Sequence, residues 1–185
     1  MIKNLLFNPL LYALLFGVTM KIADLLDEHG LKWFKGSQIL FGFLWGIFGI
    51  LLINTNNTIA NIIIAMSLAF LVRNRLDYLN HQIAVSIIMI SFLFISVFNP
   101  TLFFAFYIIF IIFGSLRDYI GDKIENKSKL QSIYDNIMWY YPLSTFIYCL
   151  FYGNWILFWI FLIYTIGYDG TKAIFKKYLG SIEKS

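Results

Sequence analysis

The feature that most constrains this chain is a strict alternation along its length. Long apolar runs are separated by breaks that are charged after every odd run and uncharged after every even one. The runs lie at about residues 4–22, 38–53, 58–73, 82–98, 101–116, 137–152 and 155–170. A bilayer hydrocarbon core is about 30 Å thick, and apolar runs of this kind predict helices that cross it. The breaks after even runs read Asn54-Thr55-Asn56-Asn57, Asn99-Pro100 and Gly153-Asn154, which are compact turn formers. Of the 24 Asp, Glu, Lys and Arg residues, all but Lys3 fall on the other side.

The expectation is therefore an all-α fold: one polytopic transmembrane helix bundle of about seven spans over residues 1–185, an integral membrane protein. The Lys/Arg bias of the loops predicts an outside N-terminus and a cytoplasmic C-terminus in a cell membrane. Composition agrees, because the chain is 60% hydrophobic and only 13% charged, against roughly 25% charged in soluble domains. The first run is followed by six more and lacks an A-x-A-like cleavage site, so it is expected to stay as a span. The net charge of +4 reads as orientation, with no nucleic-acid partner expected. Cys149 is the single cysteine, which excludes an intramolecular disulfide and a thiolate metal site. Gly42, Gly46 and Gly49 form a small-residue face suited to close helix packing.

The charged breaks carry acids at helical spacing on the ends of apolar runs. In Lys21-Ile22-Ala23-Asp24-Leu25-Leu26-Asp27-Glu28-His29, Asp24 stands three residues before Asp27 and four before Glu28. In Arg117-Asp118-Tyr119-Ile120-Gly121-Asp122-Lys123, Asp118 and Asp122 are four apart. Such spacings share a helix face, where like charges repel unless a cation compensates. Two pairs facing one another would form an oxygen-rich cage, and carboxylates without Cys or paired His favour Mg²⁺, which bridges to phosphates. Asp24, Asp27, Asp118 and Asp122 are thus the candidate metal ligands, with a diphosphate as the implied ligand. Arg73-Asn74-Arg75 adds planar donor forks suited to phosphate. Lys21 and Arg117 complete the candidate phosphate-contacting set. His29 and His81 stand without Cys or a paired His at ligand spacing, so no zinc site is expected. The segment Tyr168-Asp169-Gly170-Thr171-Lys172 precedes a basic tail with Lys176 and Lys177, which reads as a lipid-surface anchor.

These residues resemble the pattern of UbiA-type intramembrane prenyltransferases, an all-helical family with two cytoplasmic motifs, NDxxDxxxD and DxxxD. Residues 23–31 fit as ADxxDxxxL, with Ala23 at the Asn position and Leu31 at the third Asp. Residues 118–122 fit as DxxxD, and the resemblance covers roughly residues 10–135. It implies that Asp24, Asp27, Asp118 and Asp122 bind Mg²⁺ and the diphosphate of a prenyl donor. Ionisation would yield an allylic cation, captured by a lipophilic acceptor at the cytoplasmic face. The 20 Phe and 12 Tyr could line a tunnel for an isoprenoid chain. A non-catalytic membrane scaffold and a cation transporter or channel with an acidic vestibule are the competing classes. The absence of ionisable residues at span centres weighs against the transporter. The chain is compatible with an oligomer.

Overall fold

The computed structural model describes residues 8–27, 31–123 and 139–182, with side chains as far as residues 120 and 175 in the last two stretches. Among the described residues there are seven helices and no strand. They are α1 (Pro9–Asp27), α2 (Ser37–Ile53), α3 (Asn57–Val72), α4 (Leu79–Ile95), α5 (Pro100–Lys123), α6 (Tyr140–Tyr152) and α7 (Trp155–Ile182). Each expected run therefore contains a helix. The clearest differences are at α5 and α7, which continue well past the apolar residues into the charged breaks.

Length separates the helices into two groups. α1 and the Pro100–Ile120 part of α5 are long and apolar enough to cross a membrane. α2, α3 and α4 are apolar but have 16 or 17 residues; at about 1.5 Å per residue they cover roughly 24–26 Å. α7 is long, but its apolar stretch gives way to Tyr168, Asp169 and Lys172.

Local chemistry sets the helix ends. Asn56 caps α3 by accepting from the Thr58 N–H at 2.7 Å. α3 closes in a double turn around Asn74, whose φ of 56° is left-handed. The Arg75 N–H donates to the Phe70 carbonyl at 2.9 Å and the Asn74 N–H to the Leu71 carbonyl at 3.1 Å. This is the Schellman pattern, in which Asn is the side chain after Gly that best tolerates the left-handed residue. Its consequence is that Arg73 and Arg75 flank one tight reversal.

α1 packs most extensively on α7 and α2, α2 on α4, α3 on α5, and α6 on α7. The glycine face of α2 lies against α4. A Cβ at Gly42 would stand 2.7 Å from the Asn80 carbonyl oxygen, and one at Gly49 2.5 Å from the Ile88 side chain. Side chains of Phe16, Trp45, Ile62, Met66, Ile88, Phe110, Tyr141 and Tyr164 fill the main core. Outward faces are apolar too, with Phe94 at 84% and Phe151 at 80% exposure.

The alternation in the sequence becomes two chemically distinct ends. At the uncharged end, Asn61 Nδ2 donates to the Val97 carbonyl at 2.9 Å, and its Oδ1 accepts from the Asn99 N–H at 2.8 Å. The first turns of α3 are thus bonded to the fourth break. The charged breaks meet at the opposite end, where the candidate site lies.

Candidate functional site

Asp24 sits near the end of α1 and is 6% exposed. A buried carboxylate requires compensation, because burial in low dielectric penalises the charged form. Three side chains supply it. His81 Nε2 lies 3.1 Å from Asp24 Oδ1. Tyr168 Oη, from α7, donates to Oδ2 at 2.6 Å, and Lys21 Nζ stands 3.5 Å from the same oxygen. Lys21 also lies 3.4 Å from Tyr168 Oη, with its ammonium 5.0 Å from that ring's centre.

His81 ties this cluster to the α3–α4 turn. Its Nδ1 lies 3.1 Å from the Arg75 carbonyl oxygen while Nε2 faces the Asp24 carboxylate. Both partners are acceptors, so a doubly protonated ring would donate to each. Asp77, 3.7 Å from Nδ1 and half exposed, adds a second counter-charge. Beside it, Asn80 Nδ2 donates to the Ala23 carbonyl at 2.8 Å, tying the first turn of α4 to α1. Trp45 and Tyr78 each meet the imidazole edge-on at 5.7 Å.

The second acid, Asp118 on α5, is gripped by two guanidinium groups. Arg73 Nε reaches Oδ2 at 3.0 Å and its Nη2 reaches Oδ1 at 3.3 Å, a side-on fork. Arg75 Nη2 reaches Oδ1 at 3.0 Å. The Arg73 side chain is only 6% exposed, and its remaining nitrogen, Nη1, is buried without a hydrogen-bond partner among the described residues. Room for that group comes from Gly114, where a Cβ would collide with the Arg73 guanidinium. Gly114→Ala is therefore expected to leave the fold intact, since the displaced atoms end a flexible side chain, but to break the Arg73 fork. The expected cost is about 1–2 kcal/mol in detergent unfolding, and an unchanged midpoint would refute it.

Arg75 belongs to both clusters, because its carbonyl accepts from His81 while its guanidinium holds Asp118. A continuous polar chain therefore runs Tyr168–Asp24–His81–Arg75–Asp118–Arg73 across α7, α1, α4, the α3–α4 turn and α5. Next to it lies an aromatic column. Tyr140 and Tyr141 lie 4.1 Å apart with their rings tilted by 30°, and Tyr141 meets Tyr164 at 5.5 Å and Phe110 at 5.2 Å. The column continues along α5 and α6 through Phe106, which lies 5.8 Å from both Phe110 and Tyr148.

Several of the residues singled out from sequence come together here. Asp24 and Lys21 share one cluster, and Asp118, Arg73 and Arg75 the other. Asp27 is half buried on the last turn of α1, and Arg117 neighbours the Tyr140–Tyr141 pair. The Asp122 side chain, Glu28 and His29 lie outside the described residues. Leu31, at the third acidic position of the motif, is a core residue packed with Ile22, Leu25 and Leu26. Sequence reasoning missed His81, Tyr168 and Asn80. The available signal was a pair of polar residues, Asn80-His81, just inside the start of an apolar helix.

The oxygens of Asp24 and Asp118 are engaged by cationic donors of the chain itself, and among the described residues no three His, Cys, Asp or Glu side chains converge as a metal site. As they stand, these acids do not fit Mg²⁺: an ion at either would face the Lys21 ammonium beside His81, or two guanidinium groups. Comparison with family models, curated proteins and solved structures gives no match.

Proposed function

We propose that this chain is a seven-span membrane protein, with its N-terminus outside and C-terminus cytoplasmic. On this reading it binds a prenyl diphosphate at its charged end and transfers the prenyl group to a lipophilic acceptor. The observation that carries the reading is the convergence of Arg73 and Arg75 on one anion position beside an aromatic column. The guanidinium pair takes the diphosphate, and the column from Tyr140–Tyr141 toward Tyr148 accommodates the hydrocarbon. In transfer, the allylic C–O bond breaks and diphosphate leaves with the electron pair. The acceptor then forms a bond to the allylic carbon and loses a proton. Arg73 and Arg75 stabilise charge developing on the leaving group. No step is assigned to Mg²⁺. The exposed apolar faces, including Leu93 at 77% and Val97 at 75%, support a lipid surround.

The test is diphosphate release by purified protein from a panel of prenyl diphosphates, with membrane lipid extract as acceptor, in Mg²⁺ and in EDTA. Release by the wild type in Mg²⁺, reduced at least about a hundredfold in Arg73→Gln, is expected. The EDTA arm separates a metal-bound leaving group from one held by guanidinium alone. No release from any donor would overturn transfer. A second reading, a non-catalytic membrane scaffold, is favoured by one observation: each buried carboxylate is already answered by the chain's own cations.

A further inference from the structure

We infer that Asp118 is an internal anion occupying a phosphate site, and that a diphosphate binds by displacing it from the Arg73–Arg75 clamp. This rests on the reading above that a diphosphate-bearing molecule is handled at this end, and it reverses the role that the motif resemblance implies for Asp118. The acid is a competitor of the ligand here, where the resemblance makes it a holder of metal.

The geometry leads to this in two steps. Arg73 and Arg75 converge on a single carboxylate, with Arg73 Nε and Arg75 Nη2 each at 3.0 Å. Two guanidinium groups around one small anion form the recognition unit for a phosphate, whose oxygens match the planar fork as a carboxylate's do. Lastly, the occupant can leave. The Asp118 side chain is 19% exposed and that of Arg75 37% exposed, so one wall of the clamp opens to solvent. Arg73 is held on the other side by Gly114 and by the Phe70 ring, 5.6 Å from its guanidinium carbon.

The chemical class recognised is a phosphate ester or diphosphate anion, either lipid-linked or free. Removing the Asp118 charge should raise affinity, because the incoming anion no longer competes with a carboxylate or suffers its repulsion.

The experiment measures binding of inorganic diphosphate to the full chain in nanodiscs, in EDTA, by isothermal calorimetry. Asp118→Asn is expected to bind at least about tenfold tighter than the wild type, and Arg75→Gln at least about tenfold weaker. Unchanged or weaker binding by Asp118→Asn overturns the proposal. If Asp118→Asn does not fold, Arg75→Gln decides alone, since its half-exposed side chain can be removed without unfolding the chain. Unchanged affinity there also overturns the proposal. Repeating the titration with a prenyl diphosphate identifies the source. Tighter binding than inorganic diphosphate assigns the site to a lipid-linked anion, and equal affinity assigns it to a free one. A chain that follows this binding pattern but releases no diphosphate from any prenyl donor retains the anion site and loses the transfer reaction, so the two failures are separable.

Discussion

A His81→Ala chain is expected to lose about 3 kcal/mol of stability, the lower end of the range for breaking a buried ion pair from one side. The magnitude follows from what is left behind. Asp24 is 6% exposed and keeps Tyr168 Oη at 2.6 Å and Lys21 Nζ at 3.5 Å. The carboxylate therefore stays partly compensated, which places the cost below that of a wholly orphaned charge. The Arg75 carbonyl also loses its donor, freeing the turn that carries both guanidinium groups. The measurement is chemical unfolding in detergent of His81→Ala, Asp24→Asn and the double variant. The double variant should be less destabilised than the sum of the singles by at least about 1 kcal/mol, because removing the acid abolishes the penalty of stranding it. Additive losses would mean that the two side chains do not interact as drawn.

The second large effect is expected at the α1–α7 crossing. A Cβ placed on Gly17 would collide with the backbone carbonyl oxygen of Tyr164 and lie 3.1 Å from the Tyr168 amide nitrogen. Backbone atoms cannot rotate away as a side-chain end can, so relief requires the helices to separate. Gly167 faces α1 in the same way, with a Cβ there 2.8 Å from the Leu14 carbonyl oxygen. Gly17→Ala should cost about 3 kcal/mol, at the upper end of overpacking penalties. It should also lengthen the Tyr168–Asp24 bond, since Tyr168 sits one turn beyond the collision. Gly170 is the control on the same helix. Nothing lies within 4 Å of a Cβ there, so Gly170→Ala should be neutral or stabilising by up to about 1 kcal/mol through helix propensity. Equal effects at the two positions would exclude close approach as the cause.

The acids illustrate how much of the site was legible. The spacing of Asp24 and Asp118 on the ends of apolar runs placed both at one end, and both lie in the polar chain found there. Their pairing was not legible. Acids one turn apart suggested acids facing acids around a metal, whereas each carboxylate is satisfied by cations. At a low-dielectric helix end, an opposite-charge partner already in the chain offsets desolvation directly. Those partners come from afar: His81 is 57 residues from Asp24 and Tyr168 is 144 away. No local periodicity relates positions so separated. His81 reads as a lone rim histidine until α4 is laid against α1, and only then does it lie between the Asp24 carboxylate and the Arg75 carbonyl.

By itself the sequence determined the all-helical class, the order of the seven helices among the described residues, and the division into a charged and an uncharged end. These depend on contiguous residues: apolar run length, turn-forming Asn, Pro and Gly, and the sign of each break. The Asn74 reversal and the glycine face of α2 belong to the same kind of information, because backbone conformation and side-chain size act where they stand. Only the tertiary structure decided which charges meet, that Arg75 joins two clusters through its carbonyl and its guanidinium, and that Arg73 rests on Gly114. Electrostatic partnership in a bundle is a property of helix ends brought together by packing, and the packing is set by the whole apolar surface at once.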